Sequence, residues 1–411
     1  MTKLTFPKGF FWGASTASHQ VEGNTQNQWS KWEISLRRLA RLEHDGLIAK
    51  YGKENFISGT SADHYHRYEE DFRLAKALGH LATRISIEWS RVEPREGFFD
   101  ASAIEHYRAV IASIRNNGME PFVTLWHWTF PIWFSDKGGF ATRKNIEYFS
   151  RFSEKMVSEL TDVKFWITLN EPEIYAKNSY TMGVWPPQKK NLLAALKVFY
   201  NLIHAHRLAY KKMKDINSFA QIGIAKNNAY FKVFKNQLQN IIAKKFLDWS
   251  WNFHFLNKIS GTQDFIGLNH YFLTRIGWQT YQNVNLKTSD MGWELYPEAI
   301  YHVLKDLKKY KLPIYITENG LADAEDKQRA WFITETLKHT HRSISEGVDV
   351  RGYFHWSLMD NFEWDKGFWP RFGLIAVDYI TQKRTPRQSA IVYKNICQNN
   401  GFDQYEPISQ E

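Results

Sequence analysis

Cysteine is nearly absent from this 411-residue sequence. The lone Cys397 excludes an intramolecular disulfide and any zinc site built on several thiolates, and it fits a reducing cytoplasm. Long apolar runs are missing as well. The first residues carry no signal-like stretch, and nowhere do about 18 uncharged apolar residues follow one another, so neither secretion nor a membrane span is expected. Gly-x-Gly-x-x-Gly, the turn that cradles a dinucleotide after a first strand, does not occur, and neither does His-Glu-x-x-His. The paired histidines (His64 and His66, His204 and His206, His339 and His341) stand two apart, a spacing that turns them to different faces of a helix. No cofactor and no metal site are therefore expected.

Two things are plentiful: aromatic side chains, at 16% with 17 tryptophans, and positive charge, at a net +10. The charge is local. Segment 189–245 holds twelve lysines and arginines against one acid, Asp215, while the rest of the chain is close to balanced. A patch of that density attracts polyanions by its field alone. The pattern inside it argues otherwise. From Leu192 the apolar residues Leu196, Phe199, Ile203, His206, Tyr210 and Met213 recur with a helical period, which leaves Lys197, Asn201, Lys211 and Lys214 off the buried stripe. With no nucleic-acid-binding motif beside it, the segment reads as the solvated face of outer helices, and nucleic acid is disfavoured as a partner. Nothing in the sequence sets an oligomeric state.

Eight short apolar or β-branched runs recur along the chain, at 10–14, 81–87, 121–125, 163–169, 221–225, 265–268, 313–317 and 350–355. Helical patterns lie between most of them, for example at 62–78, 103–116, 144–160 and 327–345. Strands alternating with helices call for a parallel sheet, and eight such units call for closure. The expected fold class is α/β, a single (β/α)8 TIM barrel over residues 1–411 with loop insertions at its C-terminal face. Active sites of such barrels form where the strands end. Reading each run to its end gives Arg84, His127, Asn170 with Glu171, Asn227 with Asn228, Asn269 with Tyr271, Glu318 and Trp356. Turn and cap roles explain single Asn or Glu residues there, but not Trp, His, Arg and Tyr at the same rim. Nine tryptophans (Trp89, Trp126, Trp128, Trp133, Trp185, Trp293, Trp356, Trp364 and Trp369) also fall at or just beyond strand ends, where ring faces suit a sugar.

Glu171 and Glu318 each follow an apolar strand directly, so both should project into the barrel mouth. Cleaving a glycosidic bond needs such a pair: one carboxylic acid to protonate the leaving oxygen and one carboxylate to attack or to position water. Four segments carry a closer likeness: 10–23 (FFWGASTASHQVEG), 168–172 (TLNEP), 316–320 (ITENG) and 356–364 (WSLMDNFEW). In this order, at these strand ends, they resemble the motifs of glycoside hydrolase family 1, the retaining β-glucosidase and β-galactosidase family, and the likeness spans nearly the whole chain.

The resemblance implies that Glu318 is the nucleophile and Glu171 the general acid/base, with Arg84 and Tyr271 beside Glu318. It implies that Asn170 bonds the sugar 2-hydroxyl, that Gln20, His127, Glu363 and Trp364 grip other hydroxyls, that Trp356 lies under the ring, and that Asn269 keeps its place in the segment after the sixth strand. Trp293 matches an aglycone-contacting tryptophan, with Trp185 as a second candidate. Glu363 is expected to act as a charged acceptor. Members that cleave 6-phosphorylated sugars carry Ser, Lys and Tyr in this last loop, so an unphosphorylated β-glycoside is the expected substrate. Some positions depart from the family pattern. Thr129 and Phe130 follow the His127–Trp128 pair, His270 replaces a common tyrosine, and Glu173 stands where many β-glucosidases place a tryptophan against the leaving group. The chain is also short between the fifth and sixth strands, which suggests a cleft open to longer oligosaccharides. A transglycosidase using the same intermediate stays open, whereas a non-catalytic sugar binder would be marked by loss of one glutamate, and both are present.

Overall fold

The structure, a computed structural model, describes residues 2–277 and 287–404. All eight expected strands form and close into one parallel barrel. They are β1 (Phe11–Ser15), β2 (Ala82–Ser86), β3 (Glu120–Trp126), β4 (Phe165–Asn170), β5 (Gln221–Asn227), β6 (Phe265–Asn269), β7 (Ile314–Asn319) and β8 (Val350–Trp356), with β8 pairing back onto β1. Each strand is buried along nearly its whole length, because the helices cover one side and the barrel interior the other. The interior is filled by aromatic side chains. Phe122 stacks on Phe165 with ring centroids 4.3 Å apart, and Phe11, Phe265, Tyr315 and Phe354 complete the layer. Gly223 makes room for it, since a Cβ there would lie 2.6 Å from the carbonyl oxygen of Phe265.

The major outer helices are α1 (His64–Ala77), α2 (Ala101–Asn116), α3 (Ile146–Glu159), α4 (Leu192–Ile216), α5 (Leu238–Leu247), α6 (Ala299–Leu307), α7 (Arg329–Ser345) and α8 (Gln388–Asn399). In α2 the side chain of Asp100 caps the N-terminus by accepting from the amides of Ser102 and Ala103, and Ile104, Tyr107, Ile111 and Ile114 form the buried face. No helix among the described residues is long and apolar enough to cross a membrane.

In α4 the buried stripe matches the expected one in part. Ile203, His206 and Met213 are buried as expected, joined by Ala195, Val198, Leu202, Ala205 and Ala209, but Leu196 is 47% exposed, and Asn201 is buried, donating to the carbonyl of Phe140. The small alanines let α4 lie close against α3, so the helix is turned about one residue from the face that its largest apolar side chains mark. Lys226 is the other correction to the basic segment. It sits on β5, fully buried, and not on an outer helix.

Between β5 and β6 the chain forms a rim strand, Tyr230–Val233, which pairs in parallel with Leu273–Ile276 beyond β6, and α5 packs on this small sheet. At the opposite end of the barrel, Thr2–Thr5 and Gly401–Gln404 pair antiparallel, and the indole of Trp12 donates to Asn400.

Candidate active site

The ends of β4 and β7 bring Glu171 and Glu318 to one cavity of about 340 Å3. Two donors converge on Glu318. Arg84, fully buried on β2, donates Nη1 to Oε1, and the Tyr271 hydroxyl donates to Oε2 at 2.5 Å. Arg84 is itself fixed on three sides, with Nη2 on Asn170 Oδ1 at 2.8 Å and Nε on Thr124 Oγ1 at 3.0 Å. Burial, then the charge of Glu318, holds the Tyr271 phenol well above its ordinary pKa, so it stays a proton donor. Gly320 lets β7 end this close to the sugar platform, since a Cβ there would collide with the carbonyl of Trp356.

Glu171 has a different setting. It stands at the N-cap of the short helix Pro172–Ala176 with a left-handed backbone, φ 43° and ψ 59°, which costs a non-glycine residue about 1–2 kcal/mol. Its N–H is tied to Ala225 O at 2.7 Å. Two neutral amides, Asn227 Nδ2 at 3.0 Å and Asn269 Nδ2 at 2.9 Å, both donate to Oε1. Burial, followed by the negative charge of Glu318, pushes its pKa up to about 8. The carboxyl therefore carries its proton at neutral pH, and it loses the Coulombic part of that shift when Glu318 is neutralised.

Behind the two carboxyls, Asn170 accepts from Arg84 and from Asn269, and its amide donates to His127 Nε2 at 3.0 Å. Burial and then the charge of Arg84 keep His127 neutral, and with Nε2 accepting from Asn170 the proton sits on Nδ1, a buried atom without a partner among the described residues. Gln20 shows the same incompleteness. Its amide nitrogen reaches Asn361, Phe362 and Glu363, while Oε1 is buried and unpaired. One orphaned donor and one orphaned acceptor suit a ligand rich in hydroxyls. Burial, then Asp365 and Glu318, raise the pKa of Glu363 to about 8, so in the free protein it can donate as well as accept.

Of the residues singled out in the sequence, Glu171, Glu318, Tyr271, His127, Trp293, Trp356, Glu363 and Trp364 line the cavity. Arg84, Asn170, Asn269 and Gln20 lie directly behind it. The tryptophans divide. Trp128, Trp185, Trp293, Trp356 and Trp364 line the cavity, whereas Trp89 and Trp126 are core, Trp133 bonds the carbonyl of Glu93, and Trp369 stacks on Tyr51. Glu173 is also elsewhere than expected. It turns away from the leaving-group wall into a buried ion pair with Lys226, and Ile174 lines the cavity in its stead. Asn227 was legible only as a strand-end residue, and Phe272, Met291 and Phe372 carried no motif at all.

A sequence model of glycosyl hydrolase family 1 matches residues 2–258 and 255–402. The chain belongs to glycosyl hydrolase family 1. "Beta-glucosidase A" of Thermotoga maritima is 33% identical over 452 aligned positions, covering 98% of this chain and all of that one. A "Beta-galactosidase" of Sulfolobus acidocaldarius is 30% identical over 97% of this chain and 96% of its own length. Among solved structures, a beta-glycosidase from Pyrococcus horikoshii superposes with a TM-score of 0.88 at 36% identity, covering 98% of this chain and 97% of that one. The Thermotoga maritima beta-glucosidase in complex with glucoimidazole superposes at 0.89 and 30% identity, covering 97% of this chain and 100% of that one. Each of these proteins aligns with 97–98% of the chain.

Proposed function

We propose that residues 1–411 act as a single (β/α)8 glycosidase domain that removes terminal, unphosphorylated β-linked glucose or galactose units with retention of configuration. The observation that carries this reading is the unequal setting of the two glutamates. Glu318, held by a guanidinium and a phenol, attacks the anomeric carbon, while Glu171, protonated at neutral pH, gives its proton to the departing glycosidic oxygen. The glycosyl ester consumes the negative charge of Glu318. Glu171, ionised by the proton it has given up and no longer facing that charge, stays a carboxylate and takes a proton from the water that releases the sugar. Asn170, braced by Arg84 and Asn269, contacts the 2-hydroxyl, where binding strengthens as positive charge develops on the ring. His127 Nδ1 and Gln20 Oε1 supply the donor and acceptor for neighbouring hydroxyls, Trp356 underlies the ring, and Trp293 with Phe272 and Met291 forms the leaving-group wall.

The names of the relatives, glucosidases and galactosidases, support both sugars as substrates. The single, buried Cys397 supports a place in cytoplasmic carbohydrate metabolism. The basic segment serves as a solvated helical face and not as a nucleic-acid site. The deciding experiment is hydrolysis of a panel of aryl β-D-glycosides by the wild type and Glu318→Gln, with the anomer of the first-formed sugar read by NMR. Retention in the wild type and loss of hydrolysis in the variant are expected. Equal activity of the two proteins, or inversion, would overturn the assignment.

A further inference from the structure

Lysine is rarely buried without a task, and Lys226 is fully buried inside the barrel wall on β5. Its ammonium contacts Glu173 Oε1 at 2.7 Å and the carbonyl of Asn227 at 2.6 Å. Glu173 returns to the same residue, since Oε1 also accepts from the Asn227 backbone N–H at 3.0 Å. Both backbone polar groups of Asn227 are thus tied to the ion pair, and its side-chain amide is one of the two that hold Glu171. The pair spans two elements of the site. Glu173 lies two residues beyond Glu171 on the short helix after β4, and Lys226 directly precedes Asn227 on β5.

From this geometry we propose that Lys226 and Glu173 are positioning residues for the general acid: they lock the backbone of Asn227 so that its amide holds the carboxyl of Glu171 against the leaving oxygen. A buried ion pair is a costly way to gain stability, and well-packed apolar side chains often do as well or better. What it supplies here is direction. Neither charge opens onto the cavity, so the pair shapes the acid without meeting the sugar. The inference rests on the β-glycosidase reading and adds to it the two residues that make Glu171 an effective acid.

The test follows from how much each leaving group needs a proton. A dinitrophenolate departs without one, whereas phenolate and alkoxide leaving groups depend increasingly on it. Lys226→Met and the near-isosteric Glu173→Gln are to be compared with the wild type by kcat/KM on 2,4-dinitrophenyl, phenyl and methyl β-D-glucosides, with thermal unfolding as the check on folding. The expected result is a loss of about tenfold or more on the phenyl and methyl glucosides and less than about twofold on the dinitrophenyl glucoside. Asn227→Ala should reproduce the pattern.

A pH profile separates this from simple damage. The groups facing Glu171 are Glu318, Tyr271, Glu173 and Lys226 together with the amides of Asn227 and Asn269. Glu173→Gln changes only one of them. It withdraws a negative charge that raises the pKa of Glu171, so the alkaline limb of kcat/KM should move to lower pH. If Lys226→Met does not fold, Glu173→Gln alone decides by these two readouts. Equal slowing on all three glucosides, or no slowing on any, would overturn the inference while leaving the enzyme a β-glycosidase. A wild type that hydrolyses none of them would overturn the functional reading and the inference together.

Discussion

The ends of β4 and β7 carry the same residue type at the same height in one barrel, yet they build opposite tools. At β7 a permanent cation and a phenol close on Glu318, one to each oxygen. At β4 two neutral amides reach Glu171, both to the same oxygen, and the ammonium of Lys226 is paired with Glu173. On the proposed assignment, Glu318 attacks and Glu171 protonates, and what separates them is burial together with the charge of the groups that other strands bring to each.

Removing one side of the comparison altogether should have the largest effect. Glu318→Gln is expected to lower kcat at least about a thousandfold. It should also lower the pKa of Glu171 from about 8 by withdrawing a Coulombic cause, a change readable by carbon-13 NMR of labelled glutamate. An unmoved Glu171 would show that burial alone sets its proton. Next comes Glu171→Gln, with an expected loss of about a hundred- to ten-thousandfold in kcat/KM on phenyl glucoside and far less on dinitrophenyl glucoside. Arg84→Gln, which makes the β7 side resemble the β4 side, should cost about a hundredfold, and Tyr271→Phe about tenfold, because the guanidinium remains in the latter. Similar losses for the two would mean that charge is not what distinguishes the sites.

The wild-type profile sharpens the same contrast. Catalysis needs Glu171 protonated, so kcat/KM should fall as pH rises through about 8. A limb set by this group is expected to move in Glu173→Gln and to stay in place in variants distant from the cavity. The smallest effect is on stability. Glu171 and Glu363 have folded-state pKa values of about 8, above the ordinary carboxyl value of 4.5, so the folded protein binds more protons between those limits and loses stability as pH rises across them. Glu171→Gln removes one of these penalties and should raise Tm at pH 8 by about 2 °C.

Much of this was legible in the sequence because it is local. Alternating runs gave all eight strands, and a polar residue closing an apolar run marks the rim whatever surrounds it. The rest depended on what only folding brings together. Lys226 looked like one more member of a basic segment, because a strand pattern does not say which neighbour will neutralise an inward lysine. Asn201 and Leu196 exchanged places because α4 follows the alanines that let it approach α3, and packing distance leaves no mark on hydropathy. Trp89 and Trp126 stand beside the same strand ends as Trp128, but side chains from α3 and the loops between enclose them. The raised pKa of Glu363 reflects burial first and then the carboxylates of Asp365 and Glu318, one of them far away in sequence.

The antiparallel pairing of Thr2–Thr5 with Gly401–Gln404 has an engineering consequence. Both ends of the fold emerge side by side on the face opposite the cavity. A group attached beside Thr2 or Gln404 therefore starts on the face away from incoming glycoside. A short linker between the ends, with new termini cut at an exposed turn elsewhere, would keep every barrel strand in register.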